Sequence, residues 1–138
     1  MMQAEVFIWP TRVYWEDTDA GGVVYHAGYL RFMERARTEW LRSLGVDQSE
    51  LRQRTGLAMV VRDMHIDFLA PARLDDALEV SAHPARVRAA SLIFEQTIWR
   101  SGEAGSPLVQ ARVRVACVDA DKMRPAPMPT DLLQRISP

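Results

Sequence analysis

Residues 26–45 read HAGYLRFMERARTEWLRSLG. Tyr29, Met33, Ala36, Trp40 and Leu44 recur every three or four positions, while Arg31, Arg35, Thr38 and Arg42 fall on the other side. That spacing predicts a helix from about His26 to Leu44 that buries one stripe and leaves the other in water. Gly45 supplies the stop, because a glycine just past the last turn can take the left-handed conformation that closes a helix. A stripe of this kind could face a membrane surface or a partner, but in a globular chain it far more often faces the core.

Outside this segment the period changes to two. In Val109-Gln110-Ala111-Arg112-Val113-Arg114-Val115-Ala116-Cys117 the odd positions are apolar and Gln110, Arg112 and Arg114 point the other way, as a half-buried antiparallel strand requires. Met64, Ile66 and Phe68 repeat the pattern, as do Leu78 with Val80 and Leu92 with Phe94, which makes four further strands. Val13, Tyr14 and Trp15 predict a first strand that ends near Glu16. Pro84 predicts a bulge or an edge. The segment from Arg124 through Pro129 reads as extended, and Thr130 or Asp131 could cap a short final helix through Ile136. One strand, one long helix and four strands is an α+β order, and its economical packing is one antiparallel sheet curved around the helix, in a single domain spanning 1–138. Such a sheet leaves an open edge that a second copy could pair with, so a homo-oligomer is expected.

Between the first strand and the helix lies EDTDAGGVVYHAG, residues 16–28. Its position against a helix N-terminus matters, because unpaired backbone N–H groups there favour developing negative charge, the requirement of an oxyanion hole. Gly21 and Gly22 let the backbone approach a ligand without side-chain obstruction. Asp19, which adjoins them, is the preferred carboxylate, with His26 as its hydrogen-bonding counterpart across the pocket. An aspartate can deprotonate a water or attack a carbonyl itself, and the residues leave both routes open. Either suits a leaving group that needs little protonation, and a thiol of pKa about 8.5 is such a group, so a thioester fits best. The plainer alternative is that Asp17 and Asp19 cap turns and that His26 merely starts the helix.

Composition narrows the field. A net charge of -1 gives no reason to expect a nucleic-acid partner. Lys122 is the only lysine among 17 cationic side chains, a bias toward arginine expected to reflect the source genome more than phosphate recognition. The single cysteine, Cys117, cannot form an intrachain disulfide and reads as a small buried apolar residue. No basic start followed by a long apolar stretch opens the chain, and no apolar run reaches membrane-spanning length, so a cytoplasmic protein without membrane insertion is expected. Asp63, His65 and Asp67 alternate along one strand face, but no second histidine or cysteine adjoins them, so a solvated face is expected and no metal. A phosphate-binding glycine loop, a GxSxG elbow and an HExxH helix are all missing from the sequence.

The run RVYWEDTDAGGVVYHAGYLRFMERARTEWLR (residues 12–42), with FLAPARLDDALEV (68–80) and VACVDADKMRPAPMP (115–129), closely resembles the hotdog-fold acyl-CoA thioesterases of the 4-hydroxybenzoyl-CoA thioesterase superfamily, in their bacterial Tol-Pal-associated branch. The resemblance implies a five- or six-stranded antiparallel sheet wrapped around a long helix and paired into homodimers or homotetramers. It implies acyl-CoA as substrate, with acyl carrier protein a further possible donor, and no cofactor beyond the coenzyme A of the substrate itself. By resemblance Asp19 is the catalytic base or nucleophile and His26 the positioning or polarising group, while Gly22, Tyr25 and Ala27 line the oxyanion and substrate-binding pocket. Arg86, Arg88 and Ser91 fall where the family meets the phosphates of coenzyme A. A binding module that holds acyl-CoA or acyl carrier protein without hydrolysis is the alternative, and a hotdog dehydratase a weaker third.

Overall fold

In the computed structural model, which describes residues 6–137, the order is β1 (Phe7–Arg12), α1 (His26–Ser43), α2 (Gln48–Thr55), β2 (Leu57–Phe68), β3 (Ala77–Val87), β4 (Ser91–Arg100), β5 (Val109–Asp119), β6 (Arg124–Pro125) and α3 (Thr130–Ile136). The strands form one antiparallel sheet in the order β1-β3-β4-β5-β2, with β6 added to β5. α1 lies across its concave face. Leu92, Phe94, Ile98, Val113 and Val115 point at Tyr29, Phe32, Met33, Ala36 and Trp40 in one continuous core. Trp40 meets Phe94 edge to face at 5.2 Å between ring centroids, an arrangement the aromatic quadrupole favours. This is the wrapped-helix architecture that the resemblance implied.

The helix ends as its sequence suggested. Gly45 has φ 81°, its N–H donates to the Arg42 carbonyl, and the Val46 N–H donates to that of Leu41. Together these bonds complete a Schellman closure. Pro84 also behaves as expected, since the β3–β4 register shifts between Pro84 and Arg86.

Three boundaries differ from the sequence reading. The first strand stops at Arg12, and Trp15–Asp17 form a single 3-10 turn, because the buried Asp17 carboxylate accepts the Tyr14 N–H at 2.8 Å and curls the chain. α2 was not anticipated: Asp47 caps it by accepting the Glu50 N–H, Gly56 closes it at φ 75°, and only Leu51 is buried, so no apolar stripe announces it. α3 begins behind Pro129 without a side-chain cap, so neither Thr130 nor Asp131 has that duty.

Candidate active site

The segment between β1 and α1 is a small hairpin. Thr18 bridges Val24, Asp19 N–H donates to the Val23 carbonyl, and Gly22 N–H donates back to the Asp19 carbonyl, with Gly22 at φ 77° making the reversal possible. The hairpin is fixed to the body by a Val23–Arg73 bridge and a bond from Val24 N–H to the Ala72 carbonyl. Its first strand begins at Asp17, whose carbonyl accepts the Tyr25 N–H and so sets where α1 begins.

The two aspartates are separated by this geometry. Asp17 is 6% exposed and spends its carboxylate on Tyr14. Asp19 is exposed; its Oδ1 accepts the Gly21 N–H at 2.8 Å, and among the described residues its Oδ2 has no partner. A side chain at position 21 would crowd that carboxylate, since a Cβ there would stand 3.2 Å from Oδ1. Asp19 is still close enough to the start of α1 for its charge to be felt by the buried Tyr29 hydroxyl. Burial is the main cause pushing that hydroxyl's pKa up, the Ala72 N–H that donates to it opposes the rise, and Asp19 adds to it.

The first turn of α1 leaves donors free. Gly28 N–H returns to the Tyr25 carbonyl, whereas neither the His26 nor the Ala27 amide has an acceptor among the described residues. Of the three positions expected to line the oxyanion pocket, Gly22 and Tyr25 therefore have their amides engaged, and Ala27 has its amide open. The His26 amide is a donor that sequence reasoning missed, because which amides are spent depends on the tertiary bonds to Asp17 and Asp19. Beside these donors the His26 ring lies against Phe68, 4.8 Å between centroids, and near Tyr25 at 6.0 Å. His26, Tyr29, Phe68, Leu69 and Pro71 wall a cleft of about 250 Å3.

Arg86, Arg88 and Ser91 do come together, in a separate cleft of about 140 Å3 that also takes Arg62, Arg114 and Ile93. Arg62 enters because the β2–β5 register shifts between Val61 and Asp63, and Arg114 because strand alternation sends it outward between the buried Val113 and Val115. Neither position was singled out for this site in the sequence. The cleft lies on the sheet face turned away from α1, so the sheet separates it from the His26 cleft of the same chain. Asp63, His65 and Asp67 lie on an exposed stretch, where Asp63 faces Arg114 at 3.7 Å and His65 faces Asp67 at 3.3 Å. Among the described residues no helix is long and apolar enough to cross a membrane.

Comparison with known proteins agrees with this arrangement. Residues 13–136 match the family described as the Thioesterase-like superfamily. The chain is 48% identical over 126 residues to the acyl-CoA thioesterase YbgC of Haemophilus influenzae, covering 91% of this chain and 90% of that one. It is 47% identical to the acyl-CoA thioester hydrolase YbgC of Escherichia coli, covering 96% of each. A crystal structure of a probable thioesterase from Bartonella henselae superimposes with a TM-score of 0.84 at 38% identity, over 91% of this chain and all of that one. With a matching family over nearly its whole length, and relatives this similar end to end, the chain belongs to the Thioesterase-like superfamily.

Proposed function

We propose that this protein hydrolyses acyl-CoA thioesters to free acid and coenzyme A, in the cleft between the Asp19 hairpin and the first turn of α1. The observation that carries the reading is the pair of amides at His26 and Ala27 without an acceptor among the described residues, at the start of the helix that follows the hairpin carrying Asp19, whose Oδ2 likewise has no partner there. Fixed donors of this kind cost no reorganisation when the thioester oxygen becomes negative. Asp19 then either draws a proton from a water or attacks the carbonyl carbon to form an acyl-aspartyl intermediate that water resolves. The thiolate departs without an obligatory acid, because its conjugate thiol has a pKa of about 8.5. His26, its ring tilted against Phe68, orients the acyl group against the donors.

The phosphates of coenzyme A suit the arginine cleft, since guanidinium groups meet phosphate oxygens in matching fork geometry. That cleft and the His26 cleft open on opposite sheet faces of one chain, which supports an assembly in which two copies share a substrate. Among the described residues, edge strand β2 pairs only with β5, which leaves its other side open to a second copy. Acyl carrier protein would present a chemically equivalent thioester.

The test is thiol release from short, long and aromatic acyl-CoAs by the purified protein, with ligand binding measured in parallel. Release that saturates with substrate is expected. Tight binding without release would establish the binding-module alternative in its place.

A further inference from the structure

α1 covers only part of the concave face: it packs chiefly on β3 and β1. The inward positions of β2 stay half-buried or exposed, although Met59, Val61, Met64, Ile66 and Phe68 pair with buried residues of β5. The apolar side chains of β2 therefore form a strip beside α1, with the His26 cleft at its Phe68 end and, at its Met59 and Val61 end, a second cavity of about 80 Å3 lined also by Leu92, Phe94, Arg37 and Gln48.

Arg37 stands at that far end. His26, Leu30 and Arg37 are spaced by four and seven residues, which an α-helix sets in one line down a single flank. Arg37 is 7% exposed, and its Nη1 donates to Gln96 Oε1 at 2.9 Å. Among the described residues its Nε and Nη2 make no hydrogen bond, and no carboxylate forms an ion pair with it. Among the described residues no fully enclosed side-chain nitrogen or oxygen lacks a partner, so these two nitrogens keep some exposure, and Arg37 is one of the residues that line the cavity. Glu34 and Thr38 also line the cavity, where Glu34 Oε1 accepts the Thr38 hydroxyl and makes no ion pair with Arg37. Burial pulls the guanidinium's pKa down, and the Glu34 charge opposes that shift. A buried cation with open donors is costly to desolvate further unless an acceptor meets it.

We propose that this strip lines a trough that holds the acyl chain and that Arg37 is its end wall, limiting the length of saturated acyl groups and favouring chains of that length that end in a carboxylate. The proposal rests on the thioesterase reading above. From the Ala27 amide to the Arg37 backbone is about 15 Å of helix, and the side chain leans back by roughly one turn, leaving about 10 Å. An extended chain of about eight or nine carbons fills that span, at about 1.25 Å per bond. A longer saturated chain drives methylenes onto the guanidinium, whereas a terminal carboxylate supplies the missing acceptors.

The experiment compares kcat/KM for butanoyl-, octanoyl- and palmitoyl-CoA, and for the mono-CoA thioester of octanedioic acid, in the wild-type protein and in Arg37→Met. The wild type should favour octanoyl- over palmitoyl-CoA, and the carboxylate-ended chain over octanoyl-CoA, by about tenfold each. In Arg37→Met the palmitoyl-to-butanoyl ratio should rise about tenfold and the carboxylate preference should vanish. A gain on long chains cannot come from damaged folding. Equal wild-type rates on butanoyl- and palmitoyl-CoA, no preference for the carboxylate, or an unchanged profile in Arg37→Met would each overturn the proposal. If Arg37→Met does not fold, the wild-type comparison decides alone. Thiol release with a flat profile sinks only the end wall, whereas no release from any substrate removes the thioesterase reading with it.

Discussion

Asp17 and Asp19 are two positions apart and hold different things in place. Asp17 carries a buried hydrogen bond that shapes the turn, so Asp17→Ala should cost about 1–2 kcal/mol, read as a lower thermal midpoint. Asp19→Asn keeps an oxygen able to accept the Gly21 amide but loses the charge. It should leave the midpoint in place and lower kcat/KM by about 10²- to 10⁴-fold. Retained turnover in Asp19→Asn would move the chemistry to another residue. Cys117, fully buried, has its thiol pKa raised by desolvation above the ordinary 9.0. A folded-state value above the unfolded one means that its contribution to stability is complete below the unfolded pKa and lost as pH rises through the folded one. Native protein should accordingly resist thiol alkylation until it unfolds, and alkaline solution should weaken it; rapid alkylation of folded protein would contradict this burial. The loop stood out in the sequence as a candidate site because carboxylates, glycines and a histidine are conspicuous residue types beside a helix start. Which amides remain free was not legible there, because the bonds that occupy those of Gly22 and Tyr25 exist only once the hairpin has closed.

The elements set these residues in register. α1 could be read to within one residue of its ends, since a long buried stripe and a left-handed glycine both leave strong local signals. α2 left a cap at each end but no stripe, and its polar surface hid it. The first strand was placed too late because Tyr14 and Trp15 have strand-forming side chains, yet the buried Asp17 carboxylate outweighs that preference. The junction of hairpin and helix is also tight. A Cβ at Gly28 would stand 2.9 Å from Val24 Cγ1, a buried branched side chain with little room to move. Gly28→Ala should therefore push the first turn of α1 away from the hairpin, costing about 1–3 kcal/mol and lowering kcat more than it raises KM. Unchanged stability and turnover would show that the junction yields more easily than its packing suggests.

At the scale of the molecule, the sheet has the arginine cleft on one face and the His26 cleft on the other. The alternation of β5 made the outward arginines visible in sequence, but their convergence with Arg62 depends on a strand bulge and on which strands are neighbours, and neither is written locally. If this cleft receives the nucleotide end of coenzyme A, Arg86→Gln with Arg88→Gln should raise KM for acyl-CoA about tenfold or more and flatten its salt dependence. Thioesters of N-acetylcysteamine, which lack the phosphates, should respond far less; an equal response to both would place the arginines elsewhere in the account. All of this depends on a thioester carbonyl lying between Asp19 and the opening turn of α1. A crystal structure with an acyl-CoA analogue whose sulfur is replaced by methylene tests that placement most directly. The ketone oxygen should lie within about 3 Å of the Ala27 or His26 amide, with the Asp19 carboxylate facing the carbonyl carbon. An analogue bound with its carbonyl away from both amides, or with Asp19 turned into solvent, would contradict it.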